Sequence, residues 1–244
     1  MDKRLDMLVA EILGCSRDYA KEIICGGFCE VGGKIVYKAG IKFGENTNIV
    51  VHSPPPKFVS RGGHKLSAAL DFFGIDLQGK ICLDIGASTG GFTDCILQRG
   101  ADRVYAVENG KNQLHPRLQS DPRVISMENT DIRELALELI TPPDFVCCDL
   151  SFISLTKVAI KLAELMPIGC PAIVLLKPQF EAGRGAVNKH GILKDQSIRQ
   201  KILENSIEMF KVHDLEHLGD MISPIKGKDG NIEHLLYLTK KDVS

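Results

Sequence analysis

The sequence has no uninterrupted apolar run that approaches the roughly 20 residues needed for a membrane-spanning helix. Its longest strongly apolar run is the short stretch Ala172–Leu176. Acidic residues interrupt the apolar positions near the N-terminus, a pattern unlike that of a secretory signal peptide. We therefore expect no membrane partner and a cytoplasmic location.

Cys-x-x-Cys spacing is also missing, although the chain has eight cysteines. Its absence argues against a zinc ribbon and against a thioredoxin-type redox site. Most of the cysteines lie within apolar patterns such as Ile81–Leu83 and Val146–Cys148, as small core residues do. We interpret them as reduced thiols and expect no metal site.

Excess charge and low-complexity sequence are absent as well. The 244 residues carry a formal net charge of −1, and 44% of them are apolar, which excludes an intrinsically disordered chain. The 23 glycines and 11 prolines follow no period, so a collagen-like protein is excluded. This length is sufficient for one or two globular domains.

A proline-rich stretch, Ser53–Lys57, gives the clearest domain boundary. It is a stiff segment that neither a helix nor a central strand tolerates. Residues 1–65 carry ten Lys and Arg against seven Asp and Glu, so the N-terminal part has a basic excess of three. We predict one domain over residues 1–59 and a second over residues 60–244.

Apolar spacing predicts two short helices in the first domain, over residues 4–13 and 17–24, with Ser16 as the N-cap of the second. Short strands are expected between Phe28 and Val36 and at Ile49–Val51. The side chains expected to face inward from the helices are Leu5, Leu8, Val9, Ile12, Leu13, Ala20, Ile23 and Ile24.

This N-terminal pattern resembles the alpha-L RNA-binding domain, also called the S-four type. The matching positions are Arg4–Asp6, Ser16, Arg17, Ala20, Ile24, Gly27, Val31, Gly33 and Val36. The resemblance implies a basic helix face on structured RNA, with Arg4, Arg17, Lys21 and Lys34 as candidate phosphate contacts. Without the resemblance, a solvated charged helix face explains the same residues.

The second domain alternates apolar strand-like runs with segments of helical period, which predicts an α/β fold with a mostly parallel sheet covered on both faces. Strands are predicted at residues 81–85, 104–107, 124–125, 145–148, 172–176 and 234–238. Helices are predicted at residues 64–73, 92–99, 132–140, 154–166 and 196–210. In such folds the ligand binds beyond the carboxyl ends of the strands.

A glycine-rich turn follows the first of these strands, and Phe92 opens the next helix. The glycines at 86, 90 and 91 allow positive φ and a close ligand approach. Their spacing matches neither the dinucleotide fingerprint nor the phosphate loop of nucleoside triphosphatases. Asp84, just before the turn, suits a ligand that carries an ammonium group.

Two further acids follow the next two strands. Glu108 lies 24 residues after Asp84, where such folds place a carboxylate on ribose hydroxyls. Asp131 could accept a hydrogen bond from an adenine amine. Together these features describe S-adenosylmethionine as the cofactor. The predicted cofactor-binding residues at this point of the sequence are Asp84, Gly86, Ala87, Ser88, Thr89, Gly90, Gly91, Phe92, Glu108 and Asp131.

Two short motifs suggest other chemistry. Gly86–Gly90 matches the Gly-x-Ser-x-Gly elbow of serine hydrolases, with Ser88 as nucleophile and Asp149 in the expected chain order. That alternative leaves the three acids unexplained. The stretch His213–His217 fits a zinc motif, but its flanking residues lack a helical pattern, so a strand is expected there.

Longer motifs resemble the TlyA family, which joins an alpha-L domain to an FtsJ-like methyltransferase domain and is often labelled haemolysin. Besides the glycine loop, they are Val59–Leu66, Cys148–Ser154, Leu176–Glu181 and Lys226–Glu233. The resemblance implies a Rossmann-like methyltransferase with a seven-stranded sheet. It also implies 2′-O-methylation of cytidines in ribosomal RNA, with small or large ribosomal subunits as partners. Glu108 stands where the family more typically has Asp.

The catalytic set that this resemblance implies is Lys65, Asp149, Lys177 and Glu233. A ribose 2′-hydroxyl is a poor nucleophile at neutral pH, so the enzyme must align it with the methyl group and stabilise the charge developing on its oxygen. Lys177 would contact the hydroxyl, as a base or as a cationic clamp. Asp149 would hold Lys177 and face the methyl donor, so it is also a predicted cofactor-binding residue. Glu233 would orient the lysines.

A non-enzymatic RNA-binding or pore-forming haemolysin is the remaining alternative. The sequence supplies no amphipathic membrane helix with a basic face, which direct membrane lysis would need.

Overall fold

The computed structural model describes residues 2–52, 57–151, 155–183, 185–227 and 230–242. Within the predicted motifs, Ser53–Pro56, Phe152–Ser154, Lys228 and Asp229 lie outside the described residues. The chain divides into two compact units, Met1–Gly62 and Gly63–Ser244.

The described residues of the first unit form two helices and five short strands. In chain order they are β1 (Asp2–Arg4), α1 (Leu5–Leu13), α2 (Arg17–Cys25), β2 (Cys29–Val31), β3 (Lys34–Ile35), β4 (Lys42–Gly44) and β5 (Ile49–Val51). β1 pairs with β4, and β2 lies between β3 and β5 in a three-stranded antiparallel sheet. Both predicted helices are confirmed, whereas β1 and β4 were missed because three-residue strands carry too little alternation to detect.

Apolar side chains from both helices and from β2 form the core of this unit. The prediction that the cores of α1 and α2 include Leu5, Val9, Ala20 and Ile24 is confirmed. For Ile12 it is wrong: this side chain is 56% exposed, because α1 buries only residues of its first two turns. The Ser16 hydroxyl caps α2 by accepting a hydrogen bond from the Tyr19 amide at 3.3 Å.

A buried carboxylate links the beginnings of the two helices. Asp6 is fully buried, and its oxygens accept hydrogen bonds from the Arg4 guanidinium at 2.9 and 3.0 Å and from Arg17 at 3.1 Å. The guanidinium of Arg4, more than that of Arg17, holds the pKa of Asp6 below its ordinary value. The two arginines therefore have a structural role in addition to any contact with RNA.

The part of the second unit that the structure describes is built around seven strands. In chain order its first elements are α3 (Gly62–Phe73), β6 (Ile81–Ile85), α4 (Gly91–Gln98), β7 (Arg103–Val107), α5 (Pro116–Gln119), β8 (Val124–Met127) and β9 (Phe145–Cys148). They are followed by α6 (Thr156–Leu165), β10 (Pro171–Leu176), α7 (Pro178–Glu181), α8 (Gln196–Val212), β11 (Leu215–Ile222) and β12 (His234–Lys240).

The strand order across the sheet is β11-β12-β10-β9-β6-β7-β8. The five strands from β10 to β8 are parallel, and β12 runs antiparallel to both β10 and β11. This confirms the predicted α/β fold with a seven-stranded, mostly parallel sheet. Ile85 lies level with Val107 and Cys148, so the residues after β6, β7 and β9 share one edge.

The prediction of a helix over residues 132–140 is wrong. The segment forms two short 3₁₀ helices, Ile132–Glu134 and Leu137–Leu139. Leu137 and Leu139 are exposed, so the apolar residues do not form one buried helical stripe, and Pro142 and Pro143 prevent further extension. By contrast, the strand expected at the zinc-like motif is confirmed, because β11 begins at Leu215.

We expect Asp6→Asn to lower the free energy of unfolding of the first unit by about 2 kcal/mol, because a buried charge-assisted network loses its negative partner. The lowered pKa of Asp6 means that its stabilising effect is present above pH 4 and is lost as the pH falls below that value. Native-state hydrogen exchange of the α1 and α2 amides measures this unit separately.

Glu11→Gln is the matched control, because Glu11 forms an exposed ion pair with Lys3 at 3.2 Å. We expect it to change the free energy of unfolding by less than about 0.5 kcal/mol. Equal exchange rates in the two variants would contradict the structural role of Asp6.

Candidate active site

A cavity of about 720 Å³ opens at the carboxyl edge of β6, β7 and β9. Its volume is in the range that holds small-molecule ligands and cofactors. Both apolar side chains and carboxylates line it. The lining residues are Ile85, Gly86, Ser88, Val107, Glu108, Asn109, Gly110, Gln113, Thr130, Asp131, Ile132, Arg133, Asp149, Leu150, Ser151 and Lys157.

The glycines of the loop after β6 serve different purposes. Gly86 has φ +84°, and a Cβ there would lie 2.5 Å from the carbonyl oxygen of Asp149. Only glycine therefore permits the loop after β6 to approach the end of β9 so closely. A Cβ on Gly90 would lie 2.2 Å from a Leu118 methyl group, so this glycine accommodates the packing of α5 rather than a ligand.

Asp84 does not reach the cavity, although it was predicted to hold the ammonium group of the cofactor. Its carboxylate is fully buried and accepts hydrogen bonds from the Thr93 hydroxyl at 2.6 Å and from the Cys147 thiol at 3.4 Å. Burial raises the pKa of Asp84 to about 6. The structure gives Asp84 a supporting position, in which it ties β6 to the first turn of α4.

Glu108 lines the cavity as expected from its place after β7, but both of its oxygens already have partners. They accept hydrogen bonds from the amides of Ser88 at 2.9 Å and Gly110 at 2.7 Å. A carboxylate has about four acceptor positions, so ribose hydroxyls can still bind beside these amides. The ribose contact stays a prediction.

Asp131 also lines the cavity and caps the first 3₁₀ helix through the Arg133 amide at 2.9 Å. Its carboxylate forms an ion pair with the Arg133 guanidinium, which lowers the pKa of Asp131 to about 2. Its oxygens are acceptors of the kind that an adenine amine needs, and the contact with adenine stays a prediction. Other predicted cofactor residues are not among those that line the cavity, namely Ala87, Thr89, Gly90, Gly91 and Phe92.

The four predicted catalytic residues form two ion pairs. At the ends of β10 and β9, Lys177 Nζ lies 2.5 Å from Asp149 Oδ1. Lys65 of α3 donates to Glu233 Oε2, also at 2.5 Å, and both partners are buried. Each buried charge is thus compensated by its partner, and removing either member of the Lys65–Glu233 pair would leave an unpaired buried charge.

Glu233 has a tightly packed environment just before β12. A Cβ on Gly227 would lie 2.4 Å from Glu233 Oε1, so glycine at this position gives the carboxylate room to meet Lys65. The Asn231 side chain accepts a hydrogen bond from the Leu193 amide at 2.9 Å and donates one to the Gly191 carbonyl at 3.0 Å. Neither Gly227 nor Asn231 was predicted as a site residue, although both belong to the motif that ends at Glu233.

Ser151 is a further site residue that was not predicted from the sequence. Its hydroxyl accepts a hydrogen bond from Lys177 Nζ at 2.8 Å. Lys177 itself is not among the cavity-lining residues, whereas Ser151 and Asp149 both are. These two side chains therefore connect the cavity to the lysine. The one signal for Ser151 in the sequence is its position, two residues after Asp149 in the motif Cys148–Ser154.

The structure does not assemble a hydrolase triad around Ser88. Its hydroxyl lies 3.4 Å from the side-chain oxygen of Gln113, and Asp149 is paired with Lys177. Among the described residues that line the cavity there is no histidine to act as a base. The described ranges also contain no group of three metal-ligating side chains and no helix that is long and apolar enough to cross a bilayer.

In the first unit, the candidate RNA contacts differ in how they are held. Arg4 and Arg17 share Asp6, and Lys21 forms an ion pair with Asp18 at 2.9 Å. Lys34 is exposed on β3. Their contact with RNA stays a prediction.

Comparisons with known proteins agree with this architecture. A family model described as FtsJ-like methyltransferase matches residues 58–240. Hemolysin A of Brachyspira hyodysenteriae is 45% identical over 227 residues, covering 91% of this chain and 93% of that protein. The 16S/23S rRNA (cytidine-2'-O)-methyltransferase TlyA of Mycobacterium tuberculosis is 38% identical over 233 residues, covering 95% of this chain and 87% of that protein. A solved structure from Streptococcus thermophilus, named as a hemolysin, has a TM-score of 0.81 at 39% identity and covers 99% of this chain and 89% of its own.

Asp84→Asn should remove a pH dependence from the stability of the second unit. Because burial raises the pKa of Asp84 to about 6, the folded state binds its proton more tightly than the unfolded state does. Wild-type stability therefore falls as the pH rises from about 4 to about 6, by up to about 3 kcal/mol. The variant lacks this loss of stability. The difference in melting temperature, variant minus wild type, should therefore increase as the pH rises from about 4 to about 6.

Asp102→Asn, at an exposed aspartate before β7, is the control and should follow the wild-type curve. If the melting temperatures of Asp84→Asn and wild type differ by the same amount from pH 4.5 to pH 7, a raised pKa of Asp84 is excluded.

Proposed function

This chain belongs to the FtsJ-like methyltransferase family, and from that membership we propose that it methylates a ribose 2′-hydroxyl of ribosomal RNA, with S-adenosylmethionine as the methyl donor. The single observation that carries the proposal is the contact of Asp149 and Ser151 with Lys177 at the wall of the cavity. A donor in the cavity would there be adjacent to a cationic side chain that can hold the acceptor oxygen.

The cavity has the chemistry that a nucleoside cofactor needs. Val107, Ile132 and Leu150 supply apolar surface for a purine ring, and the carboxylates of Glu108 and Asp131 supply acceptors for hydroxyl and amine groups. When bound, the sulfonium of S-adenosylmethionine supplies an activated methyl group. The residues present therefore fit this cofactor, with Asp84 supporting the glycine loop instead of touching the ligand.

Lys177 is the residue that we assign to the acceptor hydroxyl. In the structure its amino group donates to the Ser151 hydroxyl and forms an ion pair with Asp149, so two partners fix its position. We therefore assign it the role of a cationic clamp, which stabilises negative charge as it develops on the 2′-oxygen. A clamp held by two partners is already oriented before the reaction begins.

Lys65 and Glu233 act as a second pair in this proposal. Both side chains are buried, so their charges largely neutralise each other within the protein. Glu233 orients Lys65, and the pair contributes a fixed dipole beside the reaction site. This differs from the expectation that Glu233 orients both lysines, because Lys177 is held by Asp149 and Ser151.

The substrate class follows from the relatives. TlyA of Mycobacterium tuberculosis is named a 16S/23S rRNA (cytidine-2'-O)-methyltransferase and shares 38% of its residues with this chain over the aligned length. We propose ribosomal RNA as the substrate, cytidine as the modified nucleotide and a cytoplasmic location. The first unit would bind the RNA through Arg4, Arg17, Lys21 and Lys34.

Methyl transfer to purified ribosomal subunits, followed with labelled S-adenosylmethionine, tests the proposal. We expect Lys177→Ala to lower the rate by about 100- to 1000-fold, as the loss of a group that stabilises an oxyanion does. Lys177→Arg should retain more activity than Lys177→Ala, because arginine keeps the positive charge but cannot act as a base.

Lys80→Ala, at an exposed lysine before the amino end of β6, is the control and should be as active as wild type. If Lys177→Arg and Lys177→Ala lower the rate of methyl transfer equally, Lys177 acts as a base and not as a cationic clamp. Full activity of Lys177→Ala would remove Lys177 from the reaction, and the absence of 2′-O-methylated nucleotides in wild-type reactions would refute the function itself.

A further inference from the structure

One wall of the cavity is a short loop that neither the sequence motifs nor the proposed reaction explains. It runs from Asn109 to Leu114, between the end of β7 and α5. Asn109, Gly110 and Gln113 line the cavity, and Leu114 is buried at the end of the loop. An irregular loop beside a ligand site needs specific interactions to keep one conformation.

Glu128, the residue after β8, supplies such interactions. Its two carboxylate oxygens accept hydrogen bonds from three consecutive backbone amides, those of Asn112 at 3.0 Å, Gln113 at 2.6 Å and Leu114 at 3.0 Å. Hydrogen bonds to a charged acceptor are stronger than those between neutral groups. The amides of Leu114 and Gln113 lower the pKa of Glu128, which shows that they favour its charged form.

The other end of the loop is held by Glu108 and by the backbone. Glu108 accepts the Gly110 amide at 2.7 Å, and the Asn129 amide donates to the Gly110 carbonyl at 3.0 Å. Asn112 between these ties has φ +54°, a left-handed conformation that asparagine tolerates better than most residues. The loop is therefore fixed at both ends before any ligand binds.

The side chain that this arrangement presents is Gln113. It lines the cavity, and its Oε1 atom accepts a hydrogen bond from the Ser88 hydroxyl at 3.4 Å. A Cβ on Gly110 would lie 1.8 Å from Gln113 Nε2, so the amide group packs directly over the glycine. Ser88, Gly110 and Glu108 are all cavity residues, which puts the Gln113 amide beside the acid assigned to the ribose.

We propose that Gln113 is a further cofactor-contacting residue, which offers its side-chain amide to the ribose side of S-adenosylmethionine, and that Glu128 is the positioning residue that holds Gln113 there. This inference rests on the proposed function only through the identity of the cofactor. It requires no RNA and no methyl transfer.

Isothermal titration calorimetry of the full chain with S-adenosylmethionine alone tests the inference. We expect Gln113→Ala to raise the dissociation constant about tenfold, the effect of losing one good hydrogen bond, with no change in melting temperature. Glu128→Ala should raise it by a similar factor. Because Glu128 acts through Gln113, the double variant should bind little worse than Glu128→Ala alone.

Hydrogen exchange separates positioning from general destabilisation. Glu128→Ala should speed exchange at the amides of Asn112, Gln113 and Leu114, while the amides of the central strands keep their protection. If that variant fails to fold, Gly110→Ala tests the same point, because the added methyl group displaces the Gln113 amide and should also raise the dissociation constant.

Gln200→Ala and Glu204→Ala are the matched controls, since these residues bond to each other on the exposed face of α8. Both variants should bind S-adenosylmethionine with the dissociation constant of wild type. If wild type binds S-adenosylmethionine and Gln113→Ala binds equally well, the inference is overturned while the proposed function stands. If wild type itself does not bind, the cofactor assignment fails and the proposed function fails with it.

Discussion

The close approach of Gly86 to the backbone of Asp149 is the constraint on which the site depends. A single methyl group at position 86 would collide with the Asp149 carbonyl at 2.5 Å. Because the contact joins the loop after β6 to the end of β9, it sets the distance between the cavity wall and the ion pair of Asp149 with Lys177. In the proposed function, this one glycine therefore joins the wall of the cofactor cavity to the residues assigned to the acceptor hydroxyl.

Carboxylates have three separate uses around this edge of the sheet. Some hold backbone, as Glu108 and Glu128 do for the loop Asn109–Leu114. Others hold cations, as Asp149 does for Lys177 and Glu233 does for Lys65. Asp84 is the exception, because it is buried against a hydroxyl and a thiol without a cation, and its raised pKa is the physical consequence.

Several features could be predicted because they depend on local pattern. The central strands of the parallel sheet are mostly apolar and buried, so β6 was predicted with its observed bounds, Ile81–Ile85. The resemblance of long motifs also identified Lys65, Asp149, Lys177 and Glu233, which the structure brings into two ion pairs. Residues 132–140 were predicted wrongly, because a short apolar segment near prolines can form 3₁₀ turns as readily as a helix.

The sequence alone determined the fold class, the family and the residue types that reach the carboxyl edge of the sheet, because hydrophobic period and motif spacing are local properties of the chain. Apart from the pair of Asp149 with Lys177, which the family resemblance implied, only the tertiary structure decided which partner these charged groups have. Asp84 accepts a hydrogen bond from Thr93, and Lys177 donates one to Ser151. Glu128 accepts hydrogen bonds from the amides of Asn112, Gln113 and Leu114. Such pairings join residues that are 9 to 26 positions apart, and they depend on strand register and loop path, which no local pattern encodes.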